Sequence, residues 1–475
     1  MNRAGGALLA TVLATAALVV LPSTANAEPT ETGFIAVGVP TADGGRGVVD
    51  LHRTDGTTDR LTPESLDLGT GSAKIRFGTS VASGDLDHDG YVDLVVGAPQ
   101  GPERDDEKSV FLVFGGAEGF TADGVRRFVE TGHPGDGFGT AVAINRRSDE
   151  RSTGVWIGAP YATVDGHAEA GKLFQLDVHA LRMPDLPAVT DLAGEFQRTE
   201  GSLMIPGSPD AGDRFGSVLA NAHDGVIVGV PLEDVDGAQD AGAVYRIREN
   251  SVTGTLTTAS VYTQNRAHFA GTAEAGDKFG ESVSAEALAI GVPGEDIGGL
   301  TDAGTVQLSV ATDEPGIAPL RAVSQDSAGV PGKAESGDRF GASVAVGRLI
   351  CDDVVSAAIG SPGEDLGGAA DAGTVTLVDA ARAGKSCGTV GVAQGQGAPG
   401  ASETGDRFGA VLSDATGADG SEDLLIGVPG ESVGTVGGVG RVLVRHPTGT
   451  VSTVRPLGGD VSSLRFGTVL GRPGA

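Results

Sequence analysis

The chain has 475 residues, with 63 acidic against 33 basic side chains, giving a formal net charge of −30. A surface this negative repels phosphate backbones and anionic lipid, which excludes nucleic acid as a natural partner. Only 4% of the residues are aromatic, but the 39% hydrophobic content falls in short regular runs, so the chain folds rather than remaining disordered.

In chain order, the first 27 residues read as an export signal. Arg3 supplies a positive start, Leu8 to Leu21 is almost wholly apolar, and Ala25-Asn26-Ala27 is a small-residue cleavage site before Glu28. The apolar core is too short to span a bilayer, and no later segment approaches the roughly 18 apolar residues of a membrane helix. The expectation is a secreted, extracellular protein with no transmembrane segment, whose mature part, residues 28–475, is a single domain. In that oxidising compartment Cys351 and Cys387, the two cysteines of the chain, are expected to form one disulfide.

From residue 33 onward two signals alternate. Phe-Gly recurs in register at Phe77, Phe138, Phe215, Phe279, Phe340, Phe408 and Phe466, at a spacing of roughly sixty to seventy residues, which marks a repeat architecture. Interleaved with it, an apolar run ends in Gly-x-Pro at Gly38, Gly97, Gly158, Gly229, Gly291, Gly360 and Gly427.

The unit from Gly212 to Arg248 shows what one repeat builds. Phe215 to Ala220 alternates large and small residues and reads as a strand, and His223-Asp224-Gly225 is a hairpin signal. Val226 to Val230 is a buried strand stopped by Pro231, which cannot donate to a ladder. A polar loop follows to Gly242, then a third strand, Ala243–Arg248, and a weaker fourth near Ser260 to Thr263. Four strands with short turns and no helical periodicity describe a propeller blade, with strands A to D running from the central channel outward. The glycine after each phenylalanine is expected where blades crowd together at the channel, and the phenylalanine in the wedge between blades.

The two ends of the chain carry complementary fragments. Phe466 to Leu470 reads as a strand A without successors, whereas Gly33 to Pro40 and Gly47 to His52 read as strands B and C without a Phe-Gly before them. The fold expected is an all-β, seven-bladed propeller whose last blade is assembled from both termini, so that no full-length edge stays open.

Phe-Gly followed by an apolar run and Gly-Ala-Pro or Gly-Val-Pro resembles the FG-GAP repeat, the unit of the β-propeller at the head of integrin alpha chains. The resemblance covers about residues 33 to 470 and implies the fold more sharply than the function, because relatives include adhesion receptors, secreted bacterial proteins and a phospholipase with a separate catalytic domain.

The loop after the first Phe-Gly reads Asp85-Leu86-Asp87-His88-Asp89-Gly90-Tyr91-Val92-Asp93. Carboxylates at Asp85, Asp87, Asp89 and Asp93, with the Tyr91 carbonyl, form an oxygen cage suited to Ca2+ as cofactor. Gly90 permits the turn that folds the loop back on an ion. Position 12 is Val96 and no helices flank the loop, so it is not an EF-hand. In FG-GAP proteins a loop of this pattern binds calcium at the A–B turn, where it falls here. A weaker second metal loop, Asp414, Asp419 and Asp423, has an extra residue and lacks the middle carboxylate.

The B–C loops repeat Glu233-Asp234 with Asp240, Glu295-Asp296 with Asp302, and Glu364-Asp365 with Asp371, while the D–A loops place Asp136, Asp213, Asp277, Asp338 and Asp406 two residues before a phenylalanine. All emerge on one face. They read as turn caps or as a docking rim, and their recurrence in nearly every blade favours the turn caps. Departures from the repeat are better candidates for ligand binding: Tyr161 and His167 in one B–C loop, Glu103, Arg104 and Asp105 in the preceding blade, and the insertion from Met183 to Leu203.

Catalytic motifs are weak. Gly384-Lys385-Ser386-Cys387-Gly388 and Gly430-Glu431-Ser432-Val433-Gly434 match Gly-x-Ser-x-Gly but lack the strand-to-helix turn of a nucleophile elbow. The eight histidines have no ligand spacing, and no carboxylate pair is singled out for glycosidase chemistry. The reading is a secreted, monomeric, calcium-stabilised propeller that binds an extracellular protein or glycan through loops on one face. The alternative is an extracellular hydrolase of lipid esters or polysaccharide, with carboxylates meeting at the channel mouth.

Overall fold

The computed structural model describes residues 34–473 other than 54, 70–73, 100–107, 131–134, 147–152, 179–188, 192–196, 201–204, 251–254, 267–268, 286–287, 313–315, 381–385, 417–420, 458–465 and 471. The export segment 1–27, the candidates Glu103, Arg104 and Asp105, and Asp419 lie outside the described residues.

Seven sheets follow one another along the chain, each a four-stranded meander at its core. Blade 4 is the plainest. Strand A is Val218–Ala222, B is Gly225–Val230, C is Ala243–Glu249 and D is Leu256–Tyr262. A pairs with B from Val218↔Gly229 to Ala222↔Gly225, and B with C from Gly225↔Arg248 to Val230↔Ala243, all antiparallel. Strand B, flanked on both edges, is buried at every residue, which is why it reads as an unbroken apolar run. Strand D, at the rim, is intermediate or exposed throughout and correspondingly hard to see in sequence.

Two blades carry additions. Blade 2 (Ser80–Gly84, Asp93–Ala98, Ser109–Val113, Val125–Val129) gains Val189–Asp191 in parallel on its outer edge and Arg472–Pro473 in parallel on its inner edge. Blade 6 gains Gly397–Ala398 beside its strand D, Val390–Gln394. The first blade is composite: Phe34–Val39, Val48–Arg53 and Thr58–Leu61 supply B, C and D, and Val469–Leu470 supplies A, pairing Val37↔Leu470 and Gly38↔Val469. Ring closure by both ends of the chain is thus seen. Buried Asp50 reinforces it, accepting hydrogen bonds from Arg60 Nε and Nη2 (2.6 and 2.8 Å) and from the Leu457 backbone N–H (3.0 Å).

The apolar interior is divided into seven clusters, one at each junction between neighbouring blades. Every in-register phenylalanine is fully buried in such a cluster; Phe215, for example, packs with Trp156 and Leu173 of blade 3 and with Val228 and Tyr245 of blade 4. Each contributes about 1.5–3 kcal/mol by burial. The wedge role expected of the phenylalanines is the one observed.

The glycine after each phenylalanine sits where neighbouring blades approach, as expected, and shares that role with the glycine of Gly-x-Pro. Strand A begins after the Phe-Gly pair rather than with it, at Val218 in blade 4, and Gly216 turns the chain with a φ of 88°. A Cβ added at Gly158, the Gly-x-Pro glycine of blade 3, would overlap the carbonyl oxygen of Gly216 in blade 4. The same clash pairs Gly38 with Gly78, Gly97 with Gly139, Gly229 with Gly280, Gly291 with Gly341, Gly360 with Gly409, and Gly427 with Gly467. The Phe-Gly of one blade and the Gly-x-Pro of the blade before it are therefore two halves of one backbone contact. An eighth Phe-Gly, Phe114-Gly115, stands outside the register because it serves the C–D connection of blade 2 instead.

Since only a shift of the whole blade junction relieves that overlap, Gly158→Ala is expected to cost about 1–3 kcal/mol by denaturant unfolding. Gly116→Ala, at a glycine with open space around it, should leave the midpoint unchanged.

Candidate functional site

The A–B loop of blade 2 is shaped by its own backbone donors. Asp85 accepts from the N–H groups of Asp89 and Gly90 (both 3.1 Å), and Asp89 accepts from Tyr91 (2.9 Å). Gly90 lies at φ 88° and His88 at φ 61°, so the loop doubles back, and the His88 ring reaches Thr153 of blade 3 at 3.4 Å. This folding brings carboxylate oxygens of Asp85, Asp87 and Asp89 within 4.8 Å of one another. Asp87 Oδ1 is buried with no hydrogen-bond partner. Burial, then the charges of Asp89 and Asp85, push the Asp87 carboxyl up to about 6. An orphaned carboxylate oxygen among two like charges is the environment a cation relieves, and the donor set, all hard oxygen, fits calcium.

Asp93 makes backbone contacts of its own. Its two oxygens accept the N–H of Leu86 (2.6 Å) and of Gly115 (2.7 Å), tying the A–B loop to the C–D connection. Burial raises its pKa to about 8 even though both donors oppose the shift. Blade 6 makes the same connection covalently: the Cys351–Cys387 disulfide, Cα–Cα 6.2 Å, joins the end of strand A to the segment before strand D. In blade 4 the corresponding turn residue, Asp224, pairs with Arg246 (3.1 Å) and Arg248 on strand C. At the weaker loop, Asp414 and Asp423 sit within the paired strands Val411–Thr416 and Glu422–Val428, and Ser421 Oγ donates to Asp423 at 3.2 Å. Among the described residues this hairpin gathers no group of three carboxylates.

Tyr161 and His167 share the B–C loop of blade 3 and both are exposed. Tyr161 is 41% exposed, and the Arg214 guanidinium lies 5.2 Å from its ring centroid, held in turn by Glu169 at 2.7 Å. Ser386, from one of the Gly-x-Ser-x-Gly strings, donates to Asp379, which also accepts the Cys387 N–H at 3.1 Å; that serine fastens a loop. On the face of the A–B and C–D turns a cleft of about 620 Å3 opens between the last and first blades, lined by Ile35, His52, Arg53, Asp423, Val444 and Pro456 among others.

The acidic loops of the other face are turn caps. Asp234, Asp296 and Asp365 accept the N–H of Asp240, Asp302 and Asp371 (2.9, 3.0 and 2.9 Å). Asp213, Asp277, Asp338 and Asp406 each accept an N–H three residues back, at 2.6–2.8 Å. Sequence reasoning overlooked a second layer beneath them. Gln264, at the end of strand D of blade 4, donates to Glu295 in the B–C loop of blade 5 (2.6 Å), and Gln325–Glu364 and Gln394–Glu431 repeat the bond at the next two junctions.

Seven antiparallel blades, closed by the two ends of the chain and joined through Phe-Gly and Gly-x-Pro, make this chain a seven-bladed β-propeller. Residues 77–113 match the family model described as FG-GAP repeat, and the chain resembles the FG-GAP propeller of integrin alpha chains. No curated protein sequence matches the chain. Among solved structures, the Dos1 propeller overlaps 83% of this chain and 72% of its own, at 11% identity and a TM-score of 0.41. A prolyl endopeptidase overlaps 80% of this chain but 50% of its own, at 12% identity and a TM-score of 0.29. Overlaps this distant bear on neither ligand nor activity. Among the described residues, no helix is long and apolar enough to cross a membrane.

Burial raises Asp277, Asp338 and Asp406 to about 6, and Glu295 and Glu364 to about 7, from ordinary values of 3.8 and 4.5. Between those limits the folded ring holds protons that the unfolded chain has released. Their contribution is full below about pH 4 and is lost as pH rises through 6 to 7. The melting temperature in chelator should therefore fall between pH 5 and pH 7.5; a rise across that window would contradict the assignment.

Proposed function

We propose that the protein is a secreted, calcium-stabilised propeller that binds an extracellular protein ligand through loops on the B–C and D–A face. The observation that carries this reading is Tyr161 with Arg214. Among the described residues Tyr161 is the only large hydrophobic side chain left exposed, and Arg214, fixed by Glu169, stacks against it. Aromatic and arginine side chains held rigidly at a surface are the usual anchors of protein interfaces. The acidic rim around them favours a partner with a basic patch. Export is supported by the sequence of residues 1–27 and by the disulfide, which persists in oxidising compartments.

Calcium would be held by Asp85, Asp87, Asp89 and the Tyr91 carbonyl, with Asp93 fixing the loop from behind. The ion pins one hairpin and takes no part in chemistry. The hydrolase alternative is supported no better, because Asp277, Asp338 and Asp406 are spread over several blades and the one gathered set with raised pKa, Glu200, Asp213 and Glu233, is largely buried.

Two experiments test this reading. Asp87→Ala should lower the calcium bound per chain by one in equilibrium dialysis and remove about 2.7 kcal/mol of stabilisation at free calcium near 100 times Kd; an unchanged count removes the cage. Screening the protein on extracellular-protein and glycan arrays, with and without chelator, should yield a protein ligand whose affinity Tyr161→Ala weakens by about thirtyfold or more, the loss of a hot spot of about 2 kcal/mol. Capture of glycans alone, or a ligand indifferent to Tyr161, would overturn the choice of partner or of face.

A further inference from the structure

The layer of buried side chains beneath the acidic rim is neutralised at four of the junctions described, each in a visible way. At the junction of blades 2 and 3, Glu130 is paired within blade 2 by Lys108 (3.6 Å), and Asp136 is paired by Lys172 of blade 3 (3.8 Å). Between blades 4 and 5, 5 and 6, and 6 and 7, a glutamine amide donates to the B–C glutamate, and at the last of these Arg441 adds a contact to Glu431 at 2.7 Å.

The junction of blades 3 and 4 breaks the rule. Glu200 stands fifteen residues before Phe215, the place that Gln264 and Gln325 hold before Phe279 and Phe340. The residue it faces is Glu233, so an amide–carboxylate pair has become a carboxylate–carboxylate pair, with Asp213 alongside. Oxygens of Glu200, Asp213 and Glu233 lie within 4.8 Å of one another. Glu200 is 2% exposed and Asp213 3% exposed. Neither Glu200 oxygen, nor Glu233 Oε2, makes a hydrogen bond of proper geometry, although the Tyr245 hydroxyl stands beside Glu200. Strand C of blade 4 opens on Ala243 where blade 7 has Arg441, and Arg214 is occupied by Glu169. The basic group that draws Asp213 downward is exposed His167.

We infer that Glu200, Asp213 and Glu233 form a site for a hard divalent cation of the calcium, magnesium or manganese class, separate from the blade 2 loop and clamping blade 3 to blade 4. Three carboxylates gathered together, two of them buried and Glu233 half-buried, destabilise the fold unless a cation or protons compensate them. Oxygen atoms this close together can all reach one such ion at 2.0–2.6 Å, the bond lengths those metals take. Burial, then the charges of Glu233 and Asp213, drives the Glu200 carboxyl upward, and burial with the charge of Asp213 drives Glu233 upward, which is the cost an ion would remove. The inference does not depend on calcium in blade 2.

The test is equilibrium dialysis of the full chain against Ca2+, Mg2+ and Mn2+ in turn, at pH 7.5, with metal content measured per chain. Glu200→Gln is the informative variant because it rebuilds the glutamine–glutamate pair of the sister junctions and so should fold, with a melting temperature in chelator at or above that of the unaltered protein. It should bind one ion fewer than the unaltered chain. Glu233→Gln, the reverse pair, should do the same. Asp87→Ala should retain the ion that Glu200→Gln loses, and the double variant should lose both. If Glu200→Gln binds as many ions as the unaltered chain, or if Asp87→Ala binds none, the site does not exist and the pair is held by a shared proton. Those outcomes leave the blade 2 cage untouched, so the two metal assignments stand or fall separately.

Discussion

The approach of two glycines at each blade junction is the constraint on which the ring depends. A carbonyl oxygen of one blade occupies the volume that a Cβ of the preceding blade would fill, at all seven junctions. This contact lets strands A and B of successive blades come together at the channel while the phenylalanine before the second glycine fills the wider space outside. Backbone bonds complete the joint: the N–H groups of Phe215, Phe279, Phe340 and Phe408 each donate to a carbonyl of the blade before, at 2.9–3.1 Å. Neighbouring sheets are thus joined by main-chain groups that any sequence offers, provided that the two positions lack side chains.

Because the joint is made by the backbone, side chains at the two faces are free to differ. On the face of the A–B turns, blade 2 fastens its loop to the C–D connection with Asp93, blade 4 with an ion pair from Asp224 to two arginines, and blade 6 with a disulfide. The disulfide closes a loop of 36 residues, worth about 3–4 kcal/mol by chain entropy. On the opposite face, capping aspartates set the shape of the loops and leave Tyr161 to stand apart from the repeat, beside Arg214, which holds the basic position that Lys278, Arg339 and Arg407 hold before their own phenylalanines.

The blades, their number and their closure were legible in the sequence because two motifs recur in register and because buried strands B are apolar without interruption. The rim strands were faint, since Leu256–Tyr262 presents only half-buried or exposed residues. Val189–Asp191 pairs in parallel with Val125–Val129 of an earlier blade, a long-range match that no local pattern announces. The pairing of Cys351 with Cys387 followed from there being two. The role of Asp93 did not follow from its spacing, because Gly115, one of its donors, lies 22 residues away across the blade. Glu200 was overlooked for a different reason. The long insertion before it hides its register, yet counting back fifteen residues from Phe215 and comparing with Gln264 and Gln325 would have exposed the exchange.

The composite first blade also sets the order in which the molecule can form. Six blades are built from hairpins whose partners are near in sequence, so their ladders can form early. The seventh joins Val37 to Leu470, across almost the entire chain, through a ladder of two residues on each side. Contacts so distant pay their loop-closure entropy before they return any energy. Closing the ring at the edge of Phe34–Val39 therefore carries the largest loop-closure cost of any strand pairing described.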